Sequence, residues 1–211
     1  MILPLLDVTL QGFPAWSLSE RDVDVLAFLS EEEFRFFTFE GLKRRLGLHP
    51  ETLSRILDRL EAEGIVKKSS EGYTVMKEIA KQLRHHASSV GETRMVLLQT
   101  FLPSDMPVDL LISNLRGRWF GLLRWLGLAE GAEGSTLKWV TEDGYIQVDA
   151  RITLNALSIE AKFLHGYDQN LALKAAYQLM THIGKLCGRA RAPLAGHVGY
   201  FGGSGFYLLP T

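Results

Sequence analysis

Two consecutive helix patterns, joined by a glycine turn and followed by a hairpin pattern, occupy residues 38–73. The second helix pattern has apolar residues at the spacing of one amphipathic face, namely Leu53, Ile56, Leu57 and Leu60. Gly47 suits the end of the first helix, because a left-handed residue is favoured there. Pro50 suits the first turn of the second helix, where its missing N–H would be unpaired in any case. The segment therefore predicts two short helices separated by a tight turn.

Short elements on either side complete this N-terminal pattern. Ser19 and Asp22 have the spacing of a capping box, which predicts the start of an earlier helix. The phenylalanine-rich residues 34–39 predict a short strand after that helix. A hairpin is predicted over 65–76, where two strand patterns flank a four-residue turn. The order helix, strand, helix, helix and hairpin predicts a winged helix-turn-helix, in which one helix enters the DNA major groove and the hairpin forms a wing beside it.

The buried face of the 50–63 helix determines which of its side chains point outward. Residues in the N-terminal half of a recognition helix reach base edges, so Thr52, Ser54 and Arg55 are predicted to read bases. Glu51 either accepts a hydrogen bond from cytosine or only stabilises the helix dipole. Further basic residues are predicted to contact phosphates: Arg44, Arg45, Arg59, Lys67 and Lys68. The alternative is that these basic residues only solvate exposed faces.

Local charge permits phosphate contact along this segment. From residue 41 to residue 68 there are seven Lys and Arg residues against four Asp and Glu residues. The whole chain has a formal net charge of −1, so it is not a polycation. An acidic run at 31–33 is predicted to be a solvated loop or helix end.

The N-terminal pattern resembles the winged helix-turn-helix regulators of the MarR/ArsR-like superfamily over residues 19–88. The residues that match are Leu42, Leu46-Gly47-Leu48, Thr52-Leu53-Ser54-Arg55-Ile56, Leu60, Glu63-Gly64-Ile65-Val66 and Gly72-Tyr73. The resemblance implies sequence-specific binding of double-stranded DNA, usually as a homodimer, by a transcriptional regulator. His49 stands where the family usually has a serine cap, so either the cap is weaker or the imidazole takes that role. Winged helices also serve as protein-protein interaction modules, which is the alternative function.

The second half of the chain predicts a separate α+β domain. A helix over 76–87 leads to a small, flexible segment at 88–91, so the predicted domains are 1–90 and 91–211. A strand at 94–102 precedes a helical region that begins near Pro107 and closes near Gly127. Strands follow at 136–142, 145–154 and 157–164, and Asp168 or Asn170 is expected to cap a last helix. This order predicts an antiparallel sheet covered by helices, used for dimerisation or effector binding.

Basic and aromatic residues are mixed in the predicted helical region after Pro107. Arg116, Trp119 and Trp125 are the candidate ligand-binding residues of this region. In one interpretation the aromatic rings bury a small-molecule effector and an arginine holds its anionic end. In a second interpretation they form a dimer surface, where tryptophan and arginine are favoured anchors. In a third they are ordinary core residues and solvated arginines.

Other classes of function have little support in the sequence. No nucleophile elbow, zinc-binding helix motif or phosphate-binding loop with its lysine is present, so no catalytic, metal or cofactor residues are predicted. A catalytic C-terminal domain fused to a DNA-targeting one stays open as a third hypothesis. No apolar run reaches the length of a membrane span. The single Cys187 fits a reducing environment, so we expect a cytoplasmic protein. Because no catalytic motif is present, we expect that the protein is not an enzyme.

Overall fold

The computed structural model describes residues 18–76, 93–132, 134–164 and 166–190. These residues form a mixed α/β fold with five helices and eight strands. The helices are α1 (Glu20–Glu31), α2 (Phe39–Leu46), α3 (Pro50–Ala62), α4 (Val108–Leu115) and α5 (Gln169–Ala190). The strands are β1 (Phe34–Phe37), β2 (Val66–Lys68), β3 (Tyr73–Val75), β4 (Thr93–Phe101), β5 (Leu123–Gly131), β6 (Gly134–Thr141), β7 (Ile146–Ile152) and β8 (Ala156–Phe163). None of these helices is both long and apolar enough to cross a membrane.

All eight strands belong to one antiparallel sheet with the order β2-β3-β1-β5-β6-β7-β8-β4. β1 is the junction, because it pairs with β3 on one side and with β5 on the other. Gly127 of β5 allows this contact, since a side chain there would meet the carbonyl oxygen of Phe36. The predicted division at 90/91 lies outside the described residues and stays a prediction. The sheet nevertheless contains strands from both sides of that division.

The predicted signals for the ends of the N-terminal helices are confirmed. Ser19 caps α1, and the capping box with Asp22 is present in both directions. Gly47 ends α2 with a left-handed φ of 61°, and Pro50 begins α3. The His49 imidazole performs the capping, because its Nδ1 accepts a hydrogen bond from the backbone N–H of Glu51 at 3.4 Å. The tight turn between α2 and α3 therefore follows from local sequence.

Two apolar cores lie on the sheet, and β5 contributes to both. The first core packs α4 and α5 against β5–β8, and Trp139 is fully buried within it. The second core packs α1, α2 and α3 with β1–β3. The adjacent residues Trp125 and Leu126 of β5 belong to the first and second core respectively. Because neighbouring residues of a strand point to opposite faces, β5 connects the two halves of the fold.

The prediction of a helical region from Pro107 to Gly127 is wrong over its second half. α4 ends at Leu115, and residues 123–131 form β5 in the middle of the sheet. Gly117 and Gly121 lie between these two elements, and both have left-handed φ angles, of 73° and 54°. β5 is buried on both faces, so its apolar run lacks the alternation that identifies a half-buried strand. The other predicted elements of this half are found within a few residues of their predicted ends. The helix predicted over 76–87, in the first half, lies outside the described residues.

Candidate nucleic-acid interface

The face of α3 opposite its core is accessible. Leu53, Ile56, Leu57 and Leu60 are at most 1% exposed, as the apolar spacing predicts. Glu51 and Arg55 are exposed on the other side, and Thr52 and Ser54 are partly exposed. Arg55 Nη2 lies 2.6 Å from Glu51 Oε1, and both side chains are more than half exposed. Such an exposed ion pair is weak, so either charge can exchange its partner for a ligand group.

Arg59 is held by an acidic residue of another helix. Its Nε and Nη2 atoms lie 2.9 Å and 2.6 Å from the two carboxylate oxygens of Asp22. Asp22 is fully buried, and burial alone would raise its pKa. The hydrogen bonds from Arg59 and from Ser19 outweigh that effect and lower the pKa of Asp22. Arg59 therefore joins α3 to the start of α1, whatever else its partly exposed guanidinium contacts.

The two arginines of α2 that were predicted to contact phosphate have different surroundings. Arg45 Nε donates to Gln147 Oε1 of β7 at 2.7 Å, and its guanidinium lies 4.7 Å from the centre of the Phe28 ring. The Arg44 side chain is partly exposed, and its Nη2 is 3.5 Å from Glu40 Oε2. Arg45 thus fastens α2 to the central sheet, and Arg44 remains accessible beside α3.

The hairpin of β2 and β3 presents the two predicted wing lysines to solvent. Lys67 and Lys68 are both exposed. The backbone N–H of Lys68 donates to Glu61 Oε1 of α3 at 3.0 Å, which ties the hairpin to that helix. The turn is closed by Ser69, whose N–H and hydroxyl both donate to the carbonyl of Gly72.

A groove of about 920 Å³ lies between the hairpin, α2 and the segment that follows α4. We call it the wing groove. Three residues that were predicted to contact DNA line this groove, namely Arg44, Ser54 and Lys68. The three candidate ligand-binding residues, Arg116, Trp119 and Trp125, line it as well. Glu51, Thr52, Arg55 and Arg59 instead line a smaller hollow on the other side of α3. The outward ridge of α3 therefore has a concave surface on each side.

The three candidate ligand residues differ in exposure. Trp125 is 4% exposed and packs edge-on against Trp139 with ring centres 5.3 Å apart, so it is mainly a core residue. Trp119 is 61% exposed. Arg116 lies with its guanidinium 4.7 Å from the centre of the Phe36 ring, and its Nη2 is 3.9 Å from Glu71 Oε2 in the wing turn.

A buried cluster of charged side chains was missed by sequence reasoning. Glu32, directly after α1, receives hydrogen bonds from Lys138 Nζ at 2.7 Å and from Lys162 Nζ at 2.5 Å. Asp149 lies 3.1 Å from Lys138 Nζ and 3.2 Å from Lys162 Nζ. Gln147 donates to both Glu32 and Asp149, at 2.9 Å in each case. Within the described part of the chain this cluster joins α1 to β6, β7 and β8.

The charges of this cluster stabilise one another. Burial alone would raise the pKa of Glu32, but attraction to Lys138 and Lys162 outweighs it and holds the pKa far below the usual range. Burial alone would lower the pKa of Lys138, but attraction to Asp149 and Glu32 raises it. The prediction that the acidic run at 31–33 is solvated is wrong for Glu32, which is 2% exposed. The sequence signal for the cluster was one charged residue in each of three consecutive strands, namely Lys138 in β6, Asp149 in β7 and Lys162 in β8.

The described residues thus define an α/β protein with one antiparallel sheet and an accessible polar helix face beside a groove. No group of three or more His, Cys, Asp or Glu side chains in the described ranges is placed to hold a metal ion. Comparisons of the chain with family models, with curated proteins and with solved structures found no match.

Proposed function

We propose that the chain is a cytoplasmic regulator of transcription that binds double-stranded DNA through α3 and the wing. The observation that carries the proposal is the orientation of α3. Its apolar face is buried, so its polar N-terminal half points outward beside the wing lysines. The order α1-β1-α2-α3-β2-β3, with β1 paired to β3, also supports a winged helix-turn-helix arrangement.

The contacts of the basic residues divide the predicted DNA-binding set into two groups. Thr52, Ser54 and Arg55 are the proposed base-reading residues, with Glu51 as the partner that Arg55 exchanges for DNA. Arg44, Lys67 and Lys68 are the proposed phosphate contacts. Arg45 and Arg59 hold the helices in place through Gln147 and Asp22, so we propose a positioning role for both.

A duplex-binding measurement at several salt concentrations tests the proposal. Fluorescence anisotropy with a labelled duplex selected by the protein from a random-sequence pool measures affinity and its salt dependence. We expect Arg55→Ala to weaken binding by about 1–3 kcal/mol and to relax sequence preference. Replacing Lys67 and Lys68 by Ala should remove two phosphate contacts. The slope of log affinity against log salt concentration should therefore fall by about 2, without a change in sequence preference. Binding that is unchanged in both variants would exclude this docking mode.

The charge balance of α3 favours a second candidate function. Its exposed side carries Glu51 and Asp58 as well as Arg55 and Arg59. A mixed-charge surface suits a protein partner as well as DNA, since complementary charges give specificity in both cases. In this alternative the winged helix is an interaction module in a larger assembly. It predicts no salt-sensitive duplex affinity and co-purification with a partner of fixed stoichiometry.

A homodimer and a small-molecule effector complete the proposal. A two-fold dimer that binds one face of DNA should hold its recognition helices about 34–36 Å apart, one helical turn. Analytical ultracentrifugation measures the assembly state. An effector would be detected by a ligand-dependent change in duplex affinity.

A further inference from the structure

We infer that the loop of residues 116–119 is a third DNA-contacting element, after α3 and the wing. It binds the stretch of DNA sugar-phosphate backbone next to the stretch that the wing contacts. The inference rests on the proposed function and extends it, because this loop belongs to the second half of the chain. It assigns the wing groove to one occupant, the DNA backbone. We call these residues the 116–119 loop.

Part of the loop lies on the same concave surface as three of the proposed DNA-binding residues, Arg44, Ser54 and Lys68. Ser54 of α3, Lys68 of the wing, and Arg116 all line the wing groove. The 3.9 Å ion pair between Arg116 and Glu71 places the loop directly beside the wing turn. A duplex that contacts both α3 and the wing presents its backbone to the surface between and beside them. The loop is therefore the next element that this backbone meets.

The chemistry of the loop suits phosphate groups. Its sequence, Arg-Gly-Arg-Trp, has two arginines in four residues, and all four residues are exposed. The guanidinium group binds phosphate oxygens through a rigid fork of donors. Arg116 is paired with Glu71, but both side chains are more than 40% exposed and such pairs are weak. A phosphate can therefore replace Glu71 at little cost.

The loop backbone is fixed before any ligand binds. The N–H of Arg116 donates to Ile112 and that of Arg118 to Leu115. The Arg118 carbonyl accepts a hydrogen bond from the buried indole N–H of Trp139 at 2.8 Å. Gly117 supplies the left-handed φ of 73° that the turn needs. Because the backbone is already ordered, binding costs less conformational entropy than it would for a free loop.

Trp119 adds a broad exposed surface next to these cations. The Arg124 guanidinium lies 4.8 Å from the centre of the Trp119 ring. Arg124 is itself held by an ion pair with Glu142, with Nη2 2.8 Å from Oε2. The ring is thus kept in place at the surface instead of folding into the core. Exposed tryptophan beside arginine is the composition typical of interface anchors. We assign Trp119 to contact with the deoxyribose next to the bound phosphates.

The test compares two double variants that remove the same charge. Arg116→Ala with Arg118→Ala alters the loop, and Lys174→Ala with Lys185→Ala alters exposed residues of α5. The probe is a fluorescein-labelled, mixed-sequence duplex pool, and anisotropy is measured over a salt series. We expect the loop variant to bind the duplex at least roughly tenfold more weakly than wild type. Its slope of log affinity against log salt concentration should be smaller by about 2. The α5 variant should bind the duplex with the affinity and salt dependence of wild type. The double variant Arg116→Lys with Arg118→Lys keeps both charges and should show most of the wild-type salt dependence.

Hydroxyl-radical footprinting on a selected duplex gives a second readout that a loss of folding would not produce. The loop variant should lose protection only at sugars beyond the wing and keep the protection due to α3. If the loop variant binds and protects DNA as the α5 variant does, the inference is wrong while the proposed function stands. If wild type shows no salt-dependent duplex binding, both are wrong.

Discussion

Lys138 Nζ lies 2.7 Å from Glu32 Oε2, although 106 positions separate the two residues in the chain. Their side chains are 6% and 1% exposed. Glu32 follows α1 directly, and Lys138 is in β6 at the centre of the sheet. The ion pair therefore fastens the helix that supports α3 to the second half of the fold.

Removing Glu32 from the cluster should destabilise the fold strongly. Glu32→Gln leaves Lys138 and Lys162 buried with only one carboxylate, that of Asp149. Leaving a buried charge without its partner costs about 3–5 kcal/mol. Urea unfolding followed by circular dichroism measures this loss. The neighbouring Glu33→Gln, at an exposed position, is the matched control and should change stability little. Equal stability of the two variants would contradict the structure of the cluster.

The same cluster predicts a loss of stability in acid. The pKa of Glu32 is lowered in the folded state, so its carboxylate stabilises the fold above its unfolded pKa of about 4.3. That contribution is lost as the pH falls below this value towards the folded pKa. We expect the free energy of unfolding of wild type to decline below about pH 5, and to decline less in Glu32→Gln. A residual decline is expected in that variant, because the pKa of Asp22 is lowered as well. Parallel pH profiles would contradict the prediction.

Arg55 and Arg59 should differ in what they affect, although both are arginines of α3. Arg59→Ala removes the main partner of the buried Asp22, which keeps only its hydrogen bonds from Ser19, so we expect a loss of about 1–3 kcal/mol of stability. Among the described residues Arg55 pairs with the exposed Glu51, so Arg55→Ala should change stability by less than about 1 kcal/mol. Its expected effect is on duplex affinity. Thermal unfolding and anisotropy, measured on both variants, separate the two roles, and an unchanged melting temperature in Arg59→Ala would contradict this assignment.

Two glycines in helices give opposite predictions when replaced by alanine. A Cβ at Gly41 of α2 would lie 2.6 Å from Leu126 Cα and 2.7 Å from the Trp125 carbonyl oxygen. The helix must then move away from β5, which should cost about 1–3 kcal/mol. Gly184 of α5 has no atom within 4 Å of its Cβ position, so Gly184→Ala should stabilise the fold by about 0.4–1 kcal/mol. Denaturant titration of both variants decides between these directions, and a stabilised Gly41→Ala would show that α2 does not pack directly on β5.

Local patterns predicted most of the helices and strands. The capping box of Ser19 and Asp22, the left-handed Gly47 and Pro50 at the start of α3 all act within a few residues, so their consequences are visible in the sequence. The four apolar residues of α3 are buried as their spacing predicts. β5 was missed because it is buried on both faces, and a short apolar run without alternation is compatible with helix or strand.

The candidate site was predicted less completely than the elements that carry it. The side chains of α3 that point outward follow from helix geometry, and Thr52 and Arg55 are found where they were expected. The partners of Arg45 and Arg59 did not follow, because Gln147 and Asp22 are 102 and 37 positions away. The position of Arg116 beside the wing also depends on a contact between distant parts of the chain.

The sequence by itself determined where α1, α2 and α3 begin, where the turn between α2 and α3 falls, and which face of α3 is apolar. Only the tertiary structure decided that β1 pairs with β5, that Glu32 is buried among lysines, and that the 116–119 loop borders the wing. The physical reason is the range of the interactions. Capping, turn conformation and helical periodicity are set by neighbouring residues, whereas strand pairing and buried ion pairs require partners that only the folded chain brings together.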